Sequence, residues 1–221
     1  MFVWLASYPK SGNTFLRSLL SAYFFSNDGI YNFDLIKNIK QFPNINLFEN
    51  LGINIKNDYE VLKNYISVQE TFCKKESIQF LKTHSYLFNI KNKYPFTDLK
   101  NSLGVIYIVR DPRNVVTSFA KFNNCTIDEA LDSMTNKISF GGILESKNSS
   151  ERSKVWVGTW AQNFHSWKTF KFQDRYLLVK YEDLISDTKN TFIKILKFIY
   201  KLNNSKFSLD LNKFNNVLQS T

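Results

Sequence analysis

Short apolar runs alternate with longer amphipathic ones along most of the chain. Phe2 to Ser7 is apolar with little alternation, the pattern of a strand buried on both faces of a parallel sheet. Thr14 to Phe25 follows, with Phe15, Leu16, Leu19, Leu20 and Tyr23 in a helical stripe. Residues 27–57 are irregular, punctuated by Gly29, Pro43 and Gly52, and predict loops and short helices. A helix is expected over Asp58 to Glu76, with Val61, Leu62, Tyr65 and Ile66 on one side. Ile78 to Leu81 and Gly104 to Val109 read as strands. After the second, Pro112 suits the first turn of a helix, where its missing N–H does no harm. Thr126 and Glu129 have capping-box spacing and open another helix. Ser139 to Ser153 holds Gly141, Gly142 and a Ser/Asn cluster and predicts a mobile loop. Trp156, Trp160, Phe164 and Trp167 recur at helical spacing and are expected in the core. Tyr176 to Val179 reads as a strand and Thr188 to Leu202 as a helix. Strands alternating with helices imply an α/β fold, a central parallel sheet flanked by helices. Ligands of such sheets gather at the carboxyl ends of the strands, and each polar cluster discussed below follows a predicted strand.

Composition narrows this picture. The chain has 221 residues, 43% of them hydrophobic, which suits one globular domain over residues 1–221. No apolar run approaches the ~18 residues of a membrane span, and the N-terminus has no signal-peptide pattern. A soluble, cytoplasmic protein is expected. Cys73 and Cys125 lack metal-ligand spacing and read as free thiols, and no metal site is expected. The net charge of +10 favours a polyanionic partner. Nucleic acid, a membrane surface or a phosphorylated small molecule would each suit; the lysines are scattered rather than gathered, which reads as a biased composition, and nucleic acid is not expected.

Three clusters carry chemistry. In "YPKSGNTF", Gly12 permits a tight bend into a helix whose first N–H groups can converge on an anion. Lys10 adds a charge, and Ser11, Asn13 and Thr14 add short donors. The same residues also make an ordinary surface turn. An ATP-binding loop would read G-x-x-x-x-G-K-[ST]; here Lys10 precedes Gly12, and no GKS or GKT occurs in the chain. In "VIYIVRDPRNVVTSF", Arg110 ends a strand and can pair bidentately with phosphate, with Ser118 eight residues on. A structural bridge between Arg110 and Asp111 would account for that arginine equally well. In "FLKTHSYL", Lys82, Thr83 and His84 end another strand. A neutral imidazole with a pKa near ~6.5 suits proton removal at neutral pH. The other histidine, His165, lies in the Trp-rich stretch and reads as packing or surface.

Together these stretches resemble the sulfotransferases that use 3′-phosphoadenosine 5′-phosphosulfate (PAPS). Their 5′-phosphosulfate loop typically reads YPKSGTTW, against YPKSGNTF here. Their 3′-phosphate site pairs a strand-end Arg with a Ser eight residues on, as Arg110 and Ser118 stand. Their base His lies in a K-T-H stretch between the two, matching Lys82-Thr83-His84. A late YEDL follows a strand, as Tyr181-Glu182-Asp183-Leu184 does here. The resemblance runs in order from Tyr8 to about Leu202, and implies a three-layer fold of the P-loop NTPase type. It implies that Lys10, Ser11, Gly12, Asn13 and Thr14 hold the 5′-phosphosulfate and that Phe15 replaces the Trp near the adenine. It further implies that Arg110 and Ser118 take the 3′-phosphate, that Tyr181 sits near the purine and that His84 is the base. Lys10 would act on the leaving phosphate oxygen, and Lys82 would support the acceptor or the transferring group. No metal is implied, and the acceptor would be a small molecule, a glycan or a lipid. Residues 33–57, 86–96 and 139–156 are expected around it.

Two features depart from the family. Asn13 and Phe15 replace Thr and Trp while keeping a polar donor and an aromatic surface. The family's C-terminal R-K-G loop, which closes over the 3′-phosphate, has no counterpart before Ser220-Thr221, so the domain is expected to be incomplete at that end. A non-catalytic nucleotide-binding protein is the alternative that this leaves open. A small-molecule kinase would need the missing GK[ST].

Overall fold

The computed structural model of the chain describes residues 1–74, 76–136, 142–145 and 152–221. Its strands, in chain order, are β1 (Phe2–Ser7), β2 (Lys40–Gln41), β3 (Gln79–Thr83), β4 (Asn89–Ile90), β5 (Tyr94–Pro95), β6 (Ser102–Val109), β7 (Gly142–Glu145), β8 (Arg152–Val155) and β9 (Tyr176–Lys180). The helices are α1 (Asn13–Phe25), α2 (Ile45–Glu49), α3 (Asp58–Lys63), α4 (Tyr65–Phe72), α5 (Pro112–Asn123), α6 (Ile127–Thr135), α7 (Trp160–Ser166), α8 (Tyr181–Ser186), α9 (Thr188–Leu202) and α10 (Leu211–Ser220), with 3₁₀ turns at Leu35–Asn38 and Trp167–Gln173. Five strands form one parallel sheet in the order β2-β3-β1-β6-β9; β4 with β5 and β7 with β8 form separate antiparallel ribbons.

The first strand explains the layering. Every residue of β1 is buried, and successive side chains point to opposite faces. Val3 and Leu5 join Leu16, Leu19 and Leu20 of α1, Phe192, Ile195 and Leu196 of α9, and Phe214 and Val217 of α10. Phe2, Trp4 and Ala6 join Val61 and Leu62 of α3, Tyr65 and Val68 of α4, and Trp156, Trp167 and Phe170. Strand β6 divides likewise, with Ile106 and Ile108 on the first face and Val105 and Tyr107 on the second. The result is helices, sheet, helices, as the alternation of strands and helices implies. Among the described residues, no helix is long and apolar enough to cross a membrane.

Sequence and structure part in five places. The run from Asp58 is two helices rather than one, and the second ends at Phe72. Asn64, at φ −103° and ψ 7°, leaves the helical region there and bonds through its amide to the Glu60 carbonyl. Trp156 lies outside its expected helix, because Gly158 turns at φ 68° and Thr159 caps α7. Trp156 and Trp167 are nevertheless fully buried, and Trp160 stacks on Phe164. Residues 27–57 contain the edge strand β2. Within the expected loop of residues 139–153, β7 and the first two residues of β8 are strand, β7 pairing along the whole of β8, and the rest lies outside the described residues. Finally, several aromatic rings expected around an acceptor are core: Phe42, Phe48, Phe88 and Phe96 are buried in the second cluster. Cys73 and Cys125 are free thiols, and Pro112 and the Thr126–Glu129 capping box open α5 and α6 as expected.

The sheet's centre should dominate stability. Trp4 is fully buried, packs against Phe42, Phe96 and Trp167, and donates from its indole nitrogen to Ser102 Oγ at 2.8 Å. Replacing Trp4 by Ala is expected to cost about 3–5 kcal/mol in chemical denaturation, whereas a loss within error would show that this core can collapse around the gap.

Candidate active site

Register brings the three clusters to one edge. Ala6 pairs with Thr83, Ser7 with Ile108, and Val109 with Lys180. The residues that follow these strand ends are Tyr8 and its loop, His84, Arg110 and Tyr181. They therefore emerge side by side from neighbouring strands, where open parallel sheets present ligands.

The loop between β1 and α1 is bent by two left-handed residues, Lys10 at φ 67° and Gly12 at φ 95°. For Lys10 that conformation is uncommon and is the kind of local strain found at functional sites. Gly12 has a second reason to lack a side chain, since a Cβ there would collide with the Tyr181 ring. Gly12 is also the N-cap of α1 and supplies no side-chain cap, and no acid stands in the first turn. The first N–H groups of a 13-residue helix are thus left for an anion. Ser11 Oγ is buried there with no hydrogen-bond partner among the described residues, a donor that an anion would satisfy. Thr14 is exposed, while Phe15 packs against the first core cluster. The Asn13 side chain turns inward, its amide donating to the Leu5 carbonyl at 2.9 Å and to Ser7 Oγ at 3.2 Å. What Asn13 can donate to an anion is then its backbone N–H, since both side-chain donations go inward and its Oδ1 can only accept. The Lys10 ammonium rests over the Phe122 ring, 4.1 Å from its centre.

Arg110 closes the opposite side. Its guanidinium donates to the Lys10 carbonyl at 3.1 Å and lies over the Tyr181 ring, 4.6 Å from its centre. Its Nε is buried with no partner among the described residues. Asp111 is occupied elsewhere: it caps α5 through the Arg113 backbone N–H and forms an ion pair with the Arg113 side chain at 2.5 Å. Hydrogen bonds from Arg113 hold the Asp111 carboxyl down at about 2. The structural bridge that could have absorbed Arg110 is therefore made by Arg113. Ser118 is half-buried on α5, the helix that begins just after Arg110, and among the described residues no hydrogen bond joins the two.

His84 is buried, with Nδ1 2.8 Å from the Ser7 carbonyl and 3.2 Å from Ser7 Oγ. A carbonyl can only accept, so Nδ1 carries the proton and Nε2 keeps its lone pair. Burial, reinforced by the charges of Lys82, Arg17 and Lys10, holds the imidazole well below its ordinary value. The ring is therefore neutral at neutral pH and basic at Nε2. Lys82 donates to Gln41 Oε1 of β2 at 2.9 Å, which ties it to the sheet's edge. His165 is exposed on α7, beside Phe164 and Lys168.

Two residues that touch His84 carry little signal in the sequence. Ser7 is the last residue of an apolar strand, and Asn163 is a single polar residue among tryptophans. The Thr159-x-x-Gln162 capping box was the available clue to Asn163, because it starts α7 and places Asn163 four residues before the buried Trp167. Arg110, Lys10, Tyr181 and the α1 N-terminus do converge, with His84 bound to the strand that leads into the same loop.

Comparison with known proteins agrees with this arrangement. The model of the sulfotransferase domain family matches residues 2–216. Sulfotransferase 2A1 of Rattus norvegicus is 33% identical over 98 residues, 44% of this chain and 31% of that protein. Sulfotransferase 1 family member D1 of Rattus norvegicus is 24% identical over 208 residues, 90% of this chain and 59% of that protein. The chain thus spans less than two thirds of these relatives. Among solved structures, mouse sulfotransferase SULT7A1 complexed with PAP superposes with a TM-score of 0.54 at 19% identity, covering 100% of this chain and 64% of that one. Retinol dehydratase in complex with androsterone and the inactive cofactor PAP gives 0.56 at 15% identity, with the same coverage. At these identities the superpositions speak for the fold, and the match over 2–216 speaks for descent: the chain belongs to the sulfotransferase domain family.

Proposed function

We propose that the chain is one sulfotransferase domain that binds PAPS and moves its sulfuryl group, by in-line attack, to a hydroxyl or amine of a small-molecule, glycan or lipid acceptor. The observation that carries this reading is the hydrogen bond from Arg110 to the Lys10 carbonyl. It ties Arg110 to the loop that carries Lys10, which supports a single site for a nucleotide phosphorylated at both its 3′ and 5′ ends. The unpartnered Ser11 Oγ and Arg110 Nε, one at each end, fit two anionic groups. Names among the similar proteins, which include a 3-alpha-hydroxysteroid sulfotransferase of Cavia porcellus and a complex with androsterone, support a small-molecule acceptor.

The roles follow from chemistry on the page. The α1 N-terminus, Ser11 and Lys10 would hold the 5′ group, with Arg110 and Ser118 at the 3′-phosphate and Tyr181 beside the base. When bound, the nucleotide supplies a sulfuryl group on a phosphate leaving group. Lys10 would offset the charge left on that phosphate, a fixed electrostatic contribution made where water is scarce. His84 Nε2 would take the acceptor's proton, its orientation fixed by the bond from Nδ1 to the Ser7 carbonyl. Lys82 would stand near the acceptor, steadied by Gln41.

Replacing His84 by Ala is expected to lower kcat by ~10²–10⁴-fold in a radiolabelled sulfate transfer assay, while calorimetric affinity for PAP stays unchanged; turnover at the parent rate refutes the base. The acid limb of kcat/KM should lie below pH 6.5, because His84 stays neutral until the pH has fallen well under that ordinary value. A limb at or above it contradicts the assignment. Arg110→Ala should weaken PAP binding roughly 10- to 100-fold and leave adenosine 5′-phosphate binding nearly as it was. Equal losses for both nucleotides would move the 3′-phosphate elsewhere.

A further inference from the structure

We infer that Asn163 is a positioning residue for His84, fixing the base by holding the backbone that carries it. The inference takes His84 as the base of the reaction proposed above. Asn163 is fully buried on α7, and its side chain joins three separate segments. Nδ2 donates to the His84 carbonyl at 2.8 Å and to the Val157 carbonyl at 2.8 Å. Oδ1 accepts from the Tyr107 hydroxyl of β6, also at 2.8 Å. Burial raises the Tyr107 phenol well above its ordinary value, so it remains a donor.

The chemistry of that position is selective. An amide both donates twice and accepts, and here both faces of it are used. An apolar residue of similar size would fill the space yet leave three buried polar groups from three segments without their shared partner. The rest of the turn is held by the same region of the chain. Trp167 donates from its indole nitrogen to the Ser85 carbonyl at 3.0 Å, Tyr86 N–H donates to the Trp156 carbonyl at 2.9 Å, and Leu87 N–H donates to Ser166 Oγ at 2.8 Å. Residues 84–87 therefore lie along the Trp-rich stretch as a strap pinned at each step. Asn163 is the pin at His84 itself, and it refers the base to β6, the strand that delivers Arg110. The Ser7 carbonyl then sets the ring from the other side. The charged groups around the imidazole are Lys82 on its own strand, Lys10 in the loop and Arg17 on α1, all cationic, and they act with burial to hold it low, so its midpoint reports where the ring sits in that setting.

The chain has two histidines, which makes a direct test available. Imidazole resonances of His84 are followed by NMR through a pH titration in the parent, Asn163→Ala and Tyr107→Phe, with His165→Gln used for assignment. In the parent His84 should show the Nδ1–H tautomer. In Asn163→Ala its midpoint should rise by about half a pH unit or more toward the solvent value, and the Nδ1–H tautomer should lose population. Sulfate transfer should fall on the order of 10²-fold in kcat, with PAP affinity unchanged. A folded Asn163→Ala protein with the parent's His84 midpoint and tautomer overturns the inference, because a residue that only packs would lower the melting temperature and leave both alone. Should Asn163→Ala not fold, Tyr107→Phe decides: it removes one hydroxyl and should move the midpoint in the same direction, and an unmoved midpoint overturns the inference. A parent that transfers no sulfate counts against the proposed reaction, while the titration still decides the role of Asn163.

Discussion

Everything at this edge of the sheet depends on a guanidinium reaching back to a backbone carbonyl one strand away. Arg110 leaves β6 directly beside β1, and the Lys10 carbonyl is available to it because the loop after β1 passes through left-handed backbone at Lys10. That one bond does two things. It braces a loop that has no side-chain cap for its helix, and it brings a permanent positive charge to the open N-terminus of α1. Tyr181 adds a flat face beneath the guanidinium, and Gly12 leaves room for that ring. Loop, arginine and ring thus come from three adjacent strand ends and depend on one another's shape.

His84, the proposed base, is set by a different logic. Its hydrogen-bond partners are the Ser7 carbonyl and hydroxyl rather than a carboxylate, and the one contact that favours the imidazolium, the Ser7 carbonyl, is outweighed by burial. Burial and three surrounding cations act in the same direction. A histidine in such a setting stays neutral, and the single bond to the Ser7 carbonyl decides which nitrogen can act. Because Ser7 lies on β1 and Asn13 bonds both Leu5 and Ser7, His84 and the loop after β1 are tied to the same strand.

Much of this was legible in the sequence, for physical reasons. A strand that is apolar on both faces announces a central position, and β1 occupies one. The order Lys-Ser-Gly after it, Arg110 after β6 and Lys-Thr-His closing β3 are local patterns at strand ends, where the fold makes them neighbours. What escaped is what depends on partners distant in sequence. Two residues, Lys40 and Gln41, carry no strand signal and pair only because β3 presents an edge. Phe42, Phe48, Phe88 and Phe96 look like pocket residues by composition and become core because the second face of the sheet has to be covered. The tryptophan spacing suggests one helix, yet Gly158 and the Thr159 cap divide it. Asn163, visible only as a polar interruption, acquires meaning through Tyr107 and His84, 56 and 79 residues away.

The central claim is that one nucleotide is gripped at both ends by this pocket. A crystal structure of the chain with PAP tests it most directly. The 5′-phosphate should lie on the backbone amides of residues 11–14 and the 3′-phosphate within hydrogen-bond reach of the Arg110 guanidinium, with the adenine near Tyr181. A nucleotide seated away from α1, or one whose 3′-phosphate points away from Arg110, would contradict it.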